Sequence, residues 1–358
     1  MTPTPSVRPP LSILDLALVN QGSTSGRALA DATEVAQVAD RLGYRRFWVA
    51  EHHNMASVAS TTPPVLMAHL AARTERIKVG SGGIMLPNHA PLVVAEHIAA
   101  LEALHPGRID VGIGRAPGSD PATAAALRRV DRLDVDDFPR DLLDLMGLLG
   151  DERGEGGLWQ RFRATPVATS IPEVVLLGSS GYSAQLAGIL GLPFSFAHHF
   201  GMGAGLGAAE LYRSAFRPSP VLDEPHLIIT ANVLVAKTVE EAAFQAGPGR
   251  LMTRLIRSGR FEPLRTPEEA ARLLGEAESA PADPLRVAAA RRHGPGPSDG
   301  NRSVVTTGRV ASTAEVAVAQ LDELVAAAGA QELMVSTVAH DLDVRVESFE
   351  LLAEAWSL

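Results

Sequence analysis

The 358-residue sequence predicts an α/β fold, a TIM-type (β/α)8 barrel, and three observations support that expectation. Short apolar segments alternate with helical stripes from one end of the chain to the other. Three successive strands end in chemically different turns: 47–50 runs into Glu51-His52-His53, 77–80 into Ser81-Gly82-Gly83, and 109–113 into Gly114-Arg115. Imidazoles, a glycine-only backbone and an arginine at the carboxyl ends of neighbouring parallel strands assemble one site at one face of a barrel. Hydrophobic residues make up 46% of the chain, enough for a large core. The expectation is an enzyme.

The elements follow in order. Residues 1–10, rich in Pro, Ser and Thr, read as a disordered tail, and 11–358 as a single domain opened by a strand at 11–19. Leu29, Ala32, Val35, Ala36, Ala39 and Leu42 are spaced for one helix face, which Gly43 closes. After the strand at 47–50 comes a helix over 64–73, with Pro64 in the first turn where proline is tolerated. Strand 77–80, helix 91–104 and strand 109–113 continue the repeat. Helices near 122–130 and 138–149 and a Gly-rich connection at 150–157 lead to strands at 174–177, 193–197, 227–235 and 333–336, which bring the count to eight. The run Val174-Val175-Leu176-Leu177 has the unbroken hydrophobicity of a strand buried on both faces. Helices at 183–190, 207–216, 239–257, 313–328 and 348–356 complete the alternation. Between the seventh and eighth strands an excursion over 237–309 leaves the carboxyl face, and its Gly/Pro-rich loop at about 287–303 is expected to be mobile, as a lid or as a plain loop.

Composition narrows the function classes. A net charge of −9 argues against nonspecific nucleic-acid binding, which rests on clustered positive charge. Without cysteine there is no disulfide framework, thiolate nucleophile or Cys-ligated metal. The apolar run after the tail is short and broken by Asp15, unlike a signal peptide, and no run approaches the roughly 20 residues that cross a bilayer. A cytoplasmic enzyme is expected. Three chemistries fit poorly. Gly203-Ala204-Gly205-Leu206-Gly207-Ala208 matches a loose dinucleotide turn but does not open the first βαβ unit. His52-His53 and His198-His199 each offer one inward imidazole, short of the three or four ligands a metal site needs. Lys78 and Lys237, the only lysines, are poorly placed for a Schiff base.

Glu51-His52-His53-Asn54-Met55, the run from Val79 to Pro87 and the run from His105 to Arg115 together resemble the bacterial luciferase-like flavin monooxygenases. The similarity is greatest to the single-chain group containing actinomycete natural-product tailoring oxygenases. It continues through Leu177-Gly178-Ser179-Ser180-Gly181-Tyr182-Ser183-Ala184 and Phe196-Ala197-His198-His199-Phe200 to Glu332-Leu333-Met334-Val335. The resemblance implies reduced FMN (FMNH2) at the carboxyl end of the barrel, reacting with O2 through a C4a-hydroperoxide. A small organic substrate would be oxygenated, an aldehyde or a polyketide-type natural product of secondary metabolism. An F420 (deazaflavin)-dependent oxidoreductase of the same superfamily and a flavin-binding protein without turnover are the alternatives.

The same resemblance assigns roles. His52 is the active-site histidine, suited to relaying a proton, while His53 points away. Gly82-Gly83 stands where the family has a non-prolyl cis peptide bulging against the isoalloxazine, and glycine lets backbone approach a flat ring. Arg115 grips the flavin phosphate, with Ser180, Tyr182 and Ser183 in the facing turn at a helix N-terminus. Salt bridges of Arg115 to Asp110 or Asp120 and simple capping by the serines are the structural alternatives. No metal is expected. One departure stands out: the luciferase cysteine before the arginine is Gly114 here, which argues against aldehyde light emission and for more room beside the ring. A separate flavin reductase is expected, because no credible nicotinamide-binding turn is present. The resemblance also implies a homodimer through helices 64–73 and 91–104, with no nucleic-acid or membrane partner.

Overall fold

The structure is a computed structural model that describes residues 8–116, 118–128, 137–153, 156–168, 170–200, 206–278 and 303–358. Its strands are β1 (Leu11–Asp15), β2 (Arg46–Val49), β3 (Lys78–Met85), β4 (Ile109–Gly114), β5 (Glu173–Gly178), β6 (Phe194–Phe196), β7 (Leu227–Val235), β8 (Arg309–Ser312) and β9 (Glu332–Ser336). Parallel pairing runs β1-β2-β3-β4-β5-β6-β7-β9 and returns to β1, which closes an eight-stranded barrel. The eight segments expected from the sequence are the eight staves. β8 was not expected. It pairs with the far end of β7, at Asn232–Val235, outside the ring. Four residues with no sustained apolar alternation give too weak a signal to separate such a strand from the excursion around it.

Side chains alternate as strand geometry requires. Leu14, Trp48, Val175, Ile228 and Met334 fill the barrel interior, whereas Ile13, Phe47, Val49, Val79 and Leu333 belong to the larger layer beneath the helices. A Cβ on Gly80 would stand 2.6 Å from the Trp48 indole, so glycine there makes room for the largest side chain of the interior. At the amino end, fully buried Arg46 lies 2.8 Å from Asp110 and 3.0 Å from Glu332, and Lys78 bridges Asp110 and Glu173 at 3.2 and 3.0 Å. Breaking such a buried pair leaves an uncompensated charge, at a cost of about 3–5 kcal/mol. The bottom of the barrel is thus plugged by ions, and the top is left for chemistry.

Helices α1 (Ser25–Leu42), α2 (Pro63–Ala71), α3 (Pro91–Leu104), α4 (Pro121–Arg128), α5 (Phe138–Leu148), α6 (Gly181–Leu190) and α7 (Gly207–Ala215) surround the barrel. They are joined by helices Ala314–Ala328 and Leu342–Trp356. The excursion departs from its expected form: one helix over 239–257 is two, α8 (Val239–Gln245) and α9 (Gly247–Arg257), split where Gly247-Pro248 starts a new first turn. It also contains α10 (Pro267–Glu278) and a short helix Val304–Thr307. Of the loop expected at 287–303, all but Ser303 lies outside the described residues.

Other boundaries shift too: β3 runs on to Met85 instead of ending at 80, so Gly82-Gly83 lie within it, and the last helix starts at Leu342 instead of 348. The first strand stops at Asp15 rather than 19, because the Asp15 carboxylate accepts from the Ala17 amide at 2.6 Å and Ala17 turns to φ 48°. The tail expected over 1–10 is packed at its end: Arg8 pairs with Asp322 at 3.0 Å and lies over the Trp356 ring, while Pro9 O accepts from Trp356 Nε1 at 2.9 Å. Among the described residues no helix is long and apolar enough to cross a membrane.

Candidate active site

The carboxyl ends of the staves open into a cavity of about 940 Å³. On β2 the alternation that turns Trp48 inward continues past the strand, so Ala50 and His52 line the cavity and Glu51 and His53 do not. His52 is mostly buried. Its backbone amide donates to Ser60 O at 3.1 Å, and its Nδ1 has no partner. Burial lowers its pKa, although the nearby Glu51 carboxylate opposes that shift, so the imidazole is neutral and free to exchange a proton.

Glu51 was quoted in the sequence motif but given no role. Its fully buried carboxylate accepts from Met85 N, Asn88 Nδ2, His53 Nε2 and His89 Nε2 at 2.8–3.0 Å. Burial alone would raise its pKa, but the hydrogen bonds from His53, His89 and Asn88 prevail and hold it at about 2. This anion ties the end of β2 to the turn after β3 and so fixes the wall on which His52 stands.

β3 carries the glycine segment. Ser81 Oγ donates to Gly112 O at 2.9 Å, the register with β4 shifts between Gly82 and Ile84, and the Gly82-Gly83 peptide is cis. A Cβ on Gly83 would lie 2.7 Å from Gly112 O, and one on Gly82 would lie 2.6 Å from Leu14 Cδ1. The β4 backbone excludes a side chain at Gly83, one at Gly82 would have to displace the Leu14 side chain, and together the two glycines present bare backbone to the cavity. The space expected at Gly114 is not open: a Cβ there would stand 2.5 Å from Met85 Sδ, so the flexible thioether already fills it.

Across the cavity floor, β4 ends in Arg115 and β5 leads into α6. The Arg115 guanidinium sits 4.2 Å from the centroid of the Tyr182 ring. Neither alternative carboxylate holds it, since Asp110 is bound by Arg46, Lys78 and Trp48, and Asp120 caps its own turn at Ala122 and Thr123. Ser180 is the N-cap residue of α6 in extended conformation, yet its side chain makes no capping hydrogen bond. Ser183 is buried one turn on, and a Cβ on Gly178 would come within 2.4 Å of its Cβ, so glycine is what lets the serine close on the strand. The arginine, the two serines and the first turn of α6 border the same cavity, and they are the donor types that anion cradles use. Of the residues assigned from the sequence, His52, Gly82, Gly83, Gly114, Arg115, Ser180 and Ser183 line this single cavity, and Tyr182 stands behind Arg115.

His199 was set aside with the histidine pairs, yet it faces the same space from the end of β6 while His198 does not. Thr230 Oγ1 donates to Phe196 O at 2.9 Å and lies 2.5 Å from His199 Nδ1. The one hydroxyl proton is committed to Phe196, so Nδ1 carries the hydrogen of the second contact and Nε2 keeps its lone pair. Burial, with Arg309, His198 and His52 nearby, pushes the His199 pKa down to about 3. It is a neutral acceptor at ordinary pH. Its position after the strand expected at 193–197 was visible in the sequence; its lock on Thr230 was not. Gly203 to Gly205 of the loose dinucleotide turn lie outside the described residues.

The donor set suits a flavin. Bare glycine backbone accepts a flat ring, the α6 cradle accepts a phosphate, and His52 Nδ1 and Ser195 Oγ are buried polar atoms at the cavity wall without protein partners.

Comparisons agree with the geometry. The family model described as luciferase-like monooxygenase matches residues 10–332. The chain is 38% identical over 346 residues to the uncharacterized protein YvbT of Bacillus subtilis, covering 97% of this chain and 96% of that protein. It is 37% identical over 236 residues to the N-acetyl-S-alkylcysteine monooxygenase of the same organism, covering 65% and 69%. The crystal structure of apo-MsnO8 superposes with a TM-score of 0.85 at 36% identity, over 98% of this chain and 99% of that one. Two structures share the fold at lower identity. They are the oxygenating constituent of 3,6-diketocamphane monooxygenase of Pseudomonas putida in complex with FMN (TM-score 0.68, 19%, 97% of each chain) and an F420-dependent secondary alcohol dehydrogenase (TM-score 0.60, 16%, 98% and 99%). The chain belongs to the luciferase-like monooxygenase family and is an oxidoreductase built on a closed TIM barrel.

Proposed function

We propose that the chain is a flavin-dependent monooxygenase that takes reduced FMN from a separate reductase and uses O2 to oxygenate a small organic substrate. The observation that carries this reading is the joining, in one cavity, of the Arg115–Ser180–Ser183 cradle, the Gly82-Gly83 wall and the unpartnered Nδ1 of His52. Reduced flavin, when bound, supplies the electrons that activate oxygen. The protein's part is positioning and proton management. Arg115 and the α6 amides hold the phosphate, and the glycine backbone supports the ring face. The neutral His52 takes or returns a proton beside the reacting edge. Trp48, Leu14 and Met334 keep water from the inner end.

F420 is the second reading, favoured by the shared fold of the alcohol dehydrogenase and by the cationic cavity described below. Anaerobic titration with reduced FMN and with reduced F420, followed by admission of O2, separates them. Retention and oxidation of FMN alone, with oxygenated product, is the expected result; retention of F420 alone overturns it. Stoichiometric reduction of bound FMN by NADH or NADPH without a reductase would contradict the reductase requirement. A homodimer through α2 and α3 belongs to the same reading, because Val65 and Leu104 are each 69% exposed and Val93 is 46% exposed on that flank. A cytoplasmic location fits a chain without cysteine.

A further inference from the structure

The charged lining of the cavity has one sign. Among the described residues it includes Arg115, Arg250, Arg257 and Arg309 and no aspartate or glutamate, in a chain whose net charge is −9. Chance placement of surface charge would give the opposite bias. A water-poor cleft lined by one sign focuses its field and draws in ligands of the other.

The four arginines form two groups. Arg115 stands at the end of β4 beside α6. Arg250 and Arg257 come from α9 and Arg309 from β8, on the other side of the mouth: β8 pairs with β7, and a Cβ on Gly249 of α9 would stand 3.2 Å from Val338, just past β9. In the cyclic strand order β9 is diametrically opposite β4. FMN has one phosphate, and the α6 cradle already answers it. The far group is left without a function in cofactor binding.

Its surroundings suggest one. Gly249, Met252, Thr253 and Ile256 follow the i, i+3, i+4, i+7 spacing of one helix face, and that face lines the cavity with Arg250 and Arg257 beside it. Ile256 and nearby Phe261 and Phe200 leave 43%, 42% and 51% of their surface uncovered, apolar area that a ligand can bury. A neutral acceptor orients Arg250, whose Nη1 donates to Ala243 O at 2.9 Å, and Arg309 Nη2 donates to Thr253 Oγ1 at 2.9 Å. No described carboxylate pairs with Arg250 or Arg257.

We propose that the α9–β8 flank is a substrate subsite that takes the carboxylate of an otherwise apolar chain, with the guanidinium groups of Arg250 and Arg257 on the anion and Met252 and Ile256 along the chain. This rests on the monooxygenase reading and specifies its substrate class as an amphiphilic carboxylate.

Decanoate and decanamide, equal in length and different in charge, are the probes, titrated calorimetrically into the protein with and without saturating oxidised FMN. Decanoate is expected to bind about tenfold more tightly, the scale of one charge-assisted hydrogen bond. Arg257→Gln, at an exposed position, should remove most of that preference while leaving decanamide affinity, FMN affinity and thermal midpoint in place, and Arg257→Lys should restore part of it. Arg250→Gln should act in the same direction. Equal affinities for the two probes, or equal losses for both in the variants, overturn the proposal. So does loss of F420 affinity in Arg257→Gln with decanoate unchanged, which would assign the arginines to the cofactor's glutamyl carboxylates. If FMN fails to bind but decanoate is still preferred, the cofactor reading fails and the subsite stands.

Discussion

Replacing Arg115 by alanine separates phosphate gripping from folding more cleanly than any other change at this site. The guanidinium is 4.2 Å from the Tyr182 centroid, and no described carboxylate holds it. Its removal therefore breaks no ion pair in the free protein, and the thermal midpoint should move no more than a surface substitution moves it, about 0.5 kcal/mol in stability. The contact with Tyr182 is lost from free and bound states alike and cancels in an affinity. What remains is the hydrogen bond to a dianion, worth about 1.5–3 kcal/mol. At about 1.4 kcal/mol per decade, the Kd for reduced FMN should rise roughly 10- to 150-fold. Partial exposure of the side chain and salt screening favour the lower half of that range. Anaerobic titration of photoreduced FMN and riboflavin, followed by absorbance, supplies the assay. Riboflavin lacks the phosphate and should lose little, while Arg115→Lys should recover charge but not the planar fork. An equal loss for both flavins would refute the reasoning and make Arg115 a structural residue.

His52→Ala should keep FMN affinity and stability near the parent while product formation falls about 10²–10⁴-fold and reduced flavin is consumed to peroxide; early unfolding or loss of FMN would assign His52 to the core or the binding site. The pKa of His199 is depressed from 6.5 to about 3, so its contribution to stability is complete above pH 6.5. The unfolded chain then gains a proton that the native state refuses, and the contribution is lost as pH falls toward 3, at up to about 1.4 kcal/mol per unit. Glu51, held at about 2 against an ordinary 4.5, adds a second loss below pH 4.5, and urea unfolding showing no decline between pH 7 and 5 would contradict the first window. Light scattering at micromolar concentration should give a dimer, and Val65→Glu with Leu104→Glu should give monomer with the barrel intact; a monomeric parent would remove the α2–α3 interface from the reading.

Much of this was legible in the sequence because the informative features are local. Apolar alternation, the stripe ending at Gly43, the placement of His52 and Arg115 just past strand ends and that of Gly82-Gly83 toward the carboxyl end of β3 depend on neighbours within a few residues. Alternation carried on from β2 decides that His52 and not His53 faces inward, whereas His199 is turned to the cavity by the short 3-10 turn His198–Phe200 that follows β6. Boundaries were less legible where a side chain settled them from a distance, as when Arg8 reached Asp322 and Trp356 to pack a segment that composition marks as a tail.

Sequence by itself determined the barrel, the face that bears the site, and the candidate residues at the carboxyl ends of its second to fifth strands. Only the tertiary structure decided how they are tuned. The Glu51 anion draws on His53, His89, Asn88 and the Met85 amide, three of them more than 30 positions away. The tautomer of His199 is set by Thr230 and Phe196 on adjoining strands, and the room at Gly114 is taken by Met85. The arginines of α9 and β8 meet the site only because the excursion folds back over β7 and β9. Periodicity reports which face a residue occupies; burial, hydrogen-bond partners and the sign of a cavity's charge are sums over residues that the chain brings together only when it closes.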